Sequence, residues 1–99
     1  MLNITKEVNE KELTIALEGR LDTVTAPQLE GEVKDSVEGI EKLVIDCVKL
    51  EYISSAGLRV LLSAQKTMNK QGSMVVRNVS EEVREIFDVT GFINILTIE

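Results

Sequence analysis

Apolar and polar side chains alternate along the first part of the chain. The alternation runs over residues 2–8, apart from Lys6, and again over residues 13–17. A period of two is typical of a strand with one buried face. Because only a short segment beginning at Asn9 and Glu10 separates the two runs, the pattern predicts an antiparallel hairpin with one packed face.

The next segment carries the signals of a helix start. Thr25 is a suitable N-cap, Pro27 lies in the first turn, and Gln28 occupies the capping-box position. Apolar residues then recur at helical spacing as far as Val37, and Gly39 is a suitable stop. The pattern therefore predicts a helix between Thr25 and Gly39.

The middle of the chain predicts a buried strand followed by the longest helix. Residues 43–45 are apolar without alternation, which indicates a central strand covered on both faces. We expect a loop over residues 46–54 and then an amphipathic helix from Ser55 to about Lys70. Residues 74–76 predict a further buried strand.

The last third of the chain predicts one more helix and one more strand. Ser80 is a suitable N-cap, Gly91 a suitable end, and residues 93–98 have the composition of a strand. The order of elements is then β-β-α-β-α-β-α-β. We expect one α/β domain over residues 1–99, with a mixed, mostly parallel five-stranded sheet and helices mainly on one face.

Composition and charge exclude several classes of function. The 99 residues carry a net charge of −6, which repels nucleic acid. Histidine is absent, which removes Ser-His-Asp and Cys-His catalysis and imidazole metal ligands. Neither of the common glycine-rich phosphate-binding motifs occurs. We therefore expect no catalytic residue, no metal and no cofactor.

The chain has the features expected of a cytoplasmic protein. Cys47 is the single cysteine, so no intrachain disulfide can form, which fits a reducing compartment. The first residues enter a strand pattern without the apolar core of a signal peptide. No apolar stretch approaches the ~20 residues of a membrane helix. We expect a soluble cytoplasmic domain without membrane insertion.

Two adjacent serines, Ser54 and Ser55, precede the apolar stripe of the longest helix. A serine at a helix N-terminus can cap the helix, accept a phosphate that the helix dipole favours, or contact a partner. The residues alone leave all three roles open, and capping is the simplest. Asp46, at a predicted strand end, also fits an aspartyl phosphorylation site, but the paired acids that such a site needs after the first strand are missing.

Several short motifs together resemble the STAS domain, and within it the bacterial anti-sigma factor antagonists. The segment Gly19–Asp22 matches the family's G-x-L-D element, and Asp46 with Ile53–Leu58 matches its signature loop and helix start. Further matches are Gly72–Val76, Asn78 and Phe87–Phe92. The resemblance covers nearly the whole chain.

This resemblance implies a regulatory protein that is not an enzyme. In the family, the unphosphorylated antagonist binds an anti-sigma factor, usually a serine kinase, and so frees the sigma factor. The kinase phosphorylates one serine at the start of the long helix, which switches the antagonist off, and a serine phosphatase restores it. The position that precedes the [SA]-G-L element is Ser55. Many members have Asp immediately before the acceptor, where this chain has Ser54, which makes Ser54 the second candidate.

The same resemblance implies a partner-binding surface around the acceptor. Its predicted members are Asp22, Thr23, Ser54, Ser55, Ala56, Gly57 and Arg59. Each also has a simpler interpretation: Asp22 as a turn or capping acid, Gly57 as a point of tight packing, and Arg59 as part of a solvated helix face.

Two other functions remain as alternatives. The first is a non-phosphorylated STAS adaptor subunit of a transporter or stress-signalling assembly, in which the serine is only a contact or a cap. An enzyme that uses Asp22, Asp46 and Ser55 is disfavoured, because no base is available to activate the serine.

Overall fold

The computed structural model describes residues 2–99, which form four strands, three α-helices and one short 3-10 helix. In chain order these are β1 (Leu2–Asn9), β2 (Glu12–Leu21), α1 (Ala26–Ser36), β3 (Lys42–Ile53), α2 (Ser55–Asn69), β4 (Ser73–Arg77), α3 (Glu81–Thr90) and the 3-10 helix (Phe92–Asn94). This order agrees with the predicted one as far as the third helix.

The four strands form one mixed sheet in the order β1-β2-β3-β4. β1 and β2 are antiparallel, with Leu2 opposite Gly19, which confirms the predicted hairpin. β3 pairs in parallel with both β2 and β4. Because Leu21 lies opposite Ile53, the carboxyl ends of β2 and β3 lie side by side at one edge of the sheet.

Alternate residues of the sheet pack against the helices. Leu13, Leu43 and Met74 lie side by side in register and belong to one buried cluster. Val44 and Val75 point to the other face and, although buried, lie outside that cluster. The helices therefore cover mainly one face of the sheet. Their main contributions to the cluster are Leu29, Val33, Leu58, Leu61, Met68, Val83 and Phe87.

The prediction of a fifth strand over residues 93–98 is wrong for the part of the chain that the structure describes. Gly91 adopts a left-handed conformation (φ 82°) that ends α3, and the chain then coils into the 3-10 helix. The backbone N–H of Leu96 donates to the carbonyl oxygen of Phe92 over 2.9 Å, so the hydrogen bonds of this turn are local and do not pair it with a strand. Only an isolated parallel bridge between Ile98 and Val76 extends the sheet.

The prediction of a loop over residues 46–54 is also wrong, because β3 continues to Ile53. Two irregularities in the pairing with β2 accommodate extra residues of β3 and keep Leu50 and Ile53 buried. At the first, the Asp46 carboxylate accepts a hydrogen bond from the backbone N–H of Val48 over 3.1 Å. The loop between β3 and α2 is therefore reduced to Ser54.

Candidate functional site

The turn between β2 and α1 is organised by the Asp22 carboxylate. Its Oδ1 accepts hydrogen bonds from the backbone N–H groups of Val24 (3.0 Å) and Thr25 (3.1 Å). The Thr25 hydroxyl accepts from the backbone N–H of Asp22 and donates to the carbonyl oxygen of Arg20, both over 2.8 Å. The backbone from Arg20 to Thr25 is thus held in one conformation at the end of β2.

The predicted capping box of Thr25 and Gln28 is wrong. Thr25 occupies the N-cap position of α1, but its side chain makes no capping hydrogen bond. Its hydroxyl is already engaged with the preceding turn, and the Gln28 amide donates to the carbonyl oxygen of Leu2 instead. Thr25 is buried, so its role is to tie the turn together.

The ionised form of Asp22 is favoured by these contacts. The backbone N–H of Thr25 is the main cause that holds the pKa of the Asp22 carboxyl below its ordinary value. Burial opposes the shift, while the Thr25 hydroxyl, the Val24 N–H and the Arg20 charge add to it. These contacts support the interpretation of Asp22 as a turn acid.

The two serines at the start of α2 have different environments. Ser54 is the N-cap: its Oγ accepts from the backbone N–H of Gly57 over 3.4 Å, and the residue is half-buried. Ser55 is the first residue of α2 and is exposed. Within residues 2–99, the Ser55 hydroxyl has no hydrogen-bond partner from the chain. The capping role therefore belongs to Ser54, and the hydroxyl of Ser55 is available.

Gly57 lies below this surface. It is buried, and a Cβ at this position would lie 2.6 Å from Leu21 Cγ and 2.9 Å from Ile53 Cγ1. Contacts that short do not occur between real side chains, so only glycine lets α2 sit this close to the ends of β2 and β3. The interpretation of Gly57 as a packing residue is supported.

A cleft of about 230 Å³ separates the beginnings of α1 and α2. It brings together Thr23, Ala56 and Arg59, three of the residues predicted for the partner surface. Thr23 and Arg59 are exposed and Ala56 is half-buried. The remaining lining residues are Ala26, Pro27, Glu30 and Val60.

Sequence reasoning missed two features of this edge. Val24 is 85% exposed at the tip of the Asp22 turn, and no pattern in the chain distinguishes it from a buried valine. Arg20 lies over the ring of Tyr52, 4.3 Å from its centroid, because the two residues are opposite each other in β2 and β3. This pairing depends on the irregular register of β3, which no local signal predicts.

Asp46 and Cys47 lie away from this surface and have structural roles. Asp46 Oδ1 accepts from the side-chain amide of Asn78 over 3.1 Å, in addition to Val48. Burial, and to a lesser extent the Asp46 carboxylate, raises the pKa of the Cys47 thiol to about 12. Over residues 2–99, no group of three or more Cys, Asp or Glu side chains is arranged to hold a metal ion.

No helix within residues 2–99 is both long enough and apolar enough to cross a membrane.

Comparison with known families agrees with the motifs. A family model described as the STAS domain matches residues 3–99. The chain belongs to the STAS domain family. The resemblance noted from the sequence motifs is therefore confirmed over almost the whole chain.

Individual relatives are similar over nearly all of their length. BtrV of Bordetella bronchiseptica is 35% identical, over 98% of this chain and 85% of that protein. The anti-sigma-B factor antagonist of Bacillus subtilis is 31% identical, over 98% of this chain and 90% of that protein. The crystal structure of an anti-sigma factor antagonist from Mycobacterium paratuberculosis shares the fold, with a TM-score of 0.90 at 24% identity over 99% of this chain and 85% of that one.

Proposed function

We propose that this STAS domain is an anti-sigma factor antagonist that is switched off by phosphorylation of Ser55. The observation that carries the proposal is the exposed, unbonded hydroxyl of Ser55 in the first turn of α2, next to Ala56, which lines the cleft. The similarity to the anti-sigma-B factor antagonist of Bacillus subtilis supports the class of partner.

Ser55 is a better acceptor than Ser54 on physical grounds. A kinase acting on Ser54 must break its hydrogen bond to Gly57 and reach a half-buried hydroxyl. Ser55 requires neither step. In the reaction, the Ser55 Oγ forms a bond to the γ-phosphorus of a nucleoside triphosphate, the bond to the diphosphate breaks, and the hydroxyl proton passes to a base of the kinase.

The fold tolerates a phosphate at this position. Phosphorylation adds a charge of about −1.5 to −2 at neutral pH. The N-terminus of α2 carries free N–H groups and the positive end of the helix dipole, both of which favour an anion. The modification therefore acts on the surface rather than on the folded state.

The phosphate weakens binding of the partner. The proposed contact surface consists of Asp22, Thr23, Ser54, Ser55, Ala56 and Arg59, with Gly57 supporting it from below. A partner shaped for a neutral hydroxyl must desolvate the phosphate or oppose it with like charge, at a cost of several kcal/mol. Every ~1.4 kcal/mol is a factor of ten in affinity, so phosphorylation lowers the affinity for the partner by orders of magnitude.

The proposed partners are an anti-sigma factor that is a serine kinase and a serine phosphatase that removes the phosphate. The phosphatase step is hydrolysis: water supplies the oxygen that replaces the serine oxygen on phosphorus, and the Ser55 hydroxyl is restored. The cycle needs no cofactor on this chain.

Calorimetric titration of the purified domain with the anti-sigma kinase from the same genome tests the proposal. Ser55→Ala should bind as the natural chain does, and Ser55→Asp should bind at least tenfold more weakly. Ser73→Asp, which puts the same charge on an exposed position at the opposite end of the sheet, is the matched control and should bind normally. Equal binding by Ser55→Asp and Ser73→Asp would contradict the switch and favour a constitutive adaptor.

A further inference from the structure

Ser55 and Arg59 are both exposed and lie four residues apart in α2. Residues at this spacing are neighbours on a helix surface, with Cβ atoms roughly 5–6 Å apart. Side chains of a helix also lean toward its N-terminus, so a residue covers the turn that precedes it. The side chain of Arg59 is therefore long enough, and on the correct face of α2, to reach the Ser55 hydroxyl.

Arg59 has no acidic partner within the described residues 2–99. Arg20 and Arg77 are engaged, the first over Tyr52 and the second with Glu99 over 2.9 Å. By contrast, α2 contains no Asp or Glu along its whole length, so Arg59 has no helical neighbour of opposite charge.

The acidic side chain that shares the cleft with Arg59, and the one in the adjoining turn, already have partners. Glu30, which lines the cleft together with Arg59, lies 3.8 Å from Lys34. Asp22 is held within its own turn by the N–H groups of Val24 and Thr25. The guanidinium of Arg59 is therefore free to take a new anion.

We propose that Arg59 is the internal counter-ion of phosphoserine at position 55, an inference that rests on the proposed function. Arginine presents a planar fork of donors that pairs with two phosphate oxygens at once. Before phosphorylation, Arg59 lines the cleft between α1 and α2. After phosphorylation, it turns toward Ser55 and holds the phosphate against α2.

The consequence is that the modification changes the shape of the surface as well as its charge. The phosphate is fixed in one position instead of moving freely, and the cleft loses the cation that lines it. Arg59 thus couples the state of Ser55 to the cleft, through one side chain and without movement of the backbone.

The test uses phosphoserine placed at position 55 during translation, in the natural sequence and in the Arg59→Gln background. The second pKa of the phosphate is read by ³¹P NMR at low ionic strength. Arg59 favours the dianion, so Arg59→Gln should raise this pKa by about 0.5 pH unit. Arg59→Lys, which keeps the charge without the fork, should give an intermediate value.

Lys66→Gln is the matched control, because it removes one positive charge from an exposed position of α2 eleven residues away from Ser55. It should leave the phosphate pKa unchanged. Identical values in the natural and Arg59→Gln proteins, or an equal shift in Lys66→Gln, would overturn the inference. The phosphate is installed without a kinase, so the titrations test the pairing with Arg59 independently of the proposed function. Absence of phosphate on Ser55 in cells would contradict the proposed function, but it would not change the measured phosphate pKa values.

Discussion

The backbone N–H of Ser54 donates to the carbonyl oxygen of Leu21 over 2.8 Å, and this bond joins the end of β3 to the end of β2. It fixes the first turn of α2 beside the Asp22 turn, because Asp22 directly follows Leu21 in the chain. In this turn the hydroxyl of Ser54 caps α2, whereas the hydroxyl of Ser55 has no partner in the described residues.

That separation predicts different effects of two alanine substitutions. Ser54→Ala removes the cap of α2 and should lower the free energy of unfolding by about 0.5–1 kcal/mol. Ser55→Ala removes an exposed hydroxyl and should change it by less than about 0.5 kcal/mol. Urea denaturation followed by circular dichroism measures both. A larger loss for Ser55→Ala than for Ser54→Ala would show that the roles are reversed.

Gly57→Ala should destabilise the domain even though alanine is the better helix former. The new methyl group meets Leu21 and Ile53, and both side chains are buried, so the packing must shift at a cost of about 1–3 kcal/mol. Gly31→Ala is the matched control, since a Cβ at this exposed position of α1 has nothing within 4 Å. It should stabilise by up to about 1 kcal/mol. Stabilisation of equal size by both substitutions in thermal unfolding would refute the close contact.

The ionised Asp22 carboxylate should stabilise the fold, and this stabilisation should be lost in acid. Its pKa is lower in the folded state than the ordinary value of 3.8, chiefly because of the Thr25 N–H. The stabilisation is therefore complete above the ordinary value and is lost as the pH falls through the lower, folded-state pKa. Asp22→Asn keeps an oxygen acceptor but has no charge, so its stability should decline less below pH 3.8 than that of the natural protein. Urea denaturation at a series of pH values measures the free energy of unfolding of both proteins. If it falls equally with pH in the two proteins, Asp22 does not have this role.

The Cys47 thiol should be inert in the folded protein. Its pKa of about 12 and its burial leave almost no accessible thiolate near pH 8. A disulfide reagent such as dithionitrobenzoate should react with the native protein at the rate of unfolding, and rapidly in urea. Stoichiometric labelling of the native protein within the mixing time would contradict the burial.

The parts of the fold that depend on local pattern could be predicted from the sequence. Alternation in β1 and β2, and the Ser80 cap that accepts from the Val83 N–H over 3.2 Å, are local signals with a single physical meaning. The extension of β3 could not be predicted this way. Two consecutive residues, Val48 and Lys49, are exposed and break the alternation of burial, and only pairing with β2, far away in the chain, maintains the strand there.

The predicted capping box and the predicted fifth strand are wrong for different reasons. Asp22 and Thr25 are both suitable caps, and the sequence does not tell which side chain takes the backbone N–H groups. Residues 93–98 have the composition of a strand, but the turn after Gly91 directs the chain into a 3-10 helix. At the site, the family resemblance makes Ser55 the predicted acceptor, whereas its free hydroxyl and its spacing from Arg59 on one helix face follow only from the structure.

Mass-spectrometric mapping of phosphorylation sites on the protein isolated from its own cells decides whether Ser55 is the switch. Growth and stress conditions should be sampled together, because the switch cycles between two states. We expect phosphate on Ser55 in part of the population and none on Ser54. Phosphate on Ser54 would contradict the assignment of the site, and a chain that stays unmodified under every condition would contradict the switch itself.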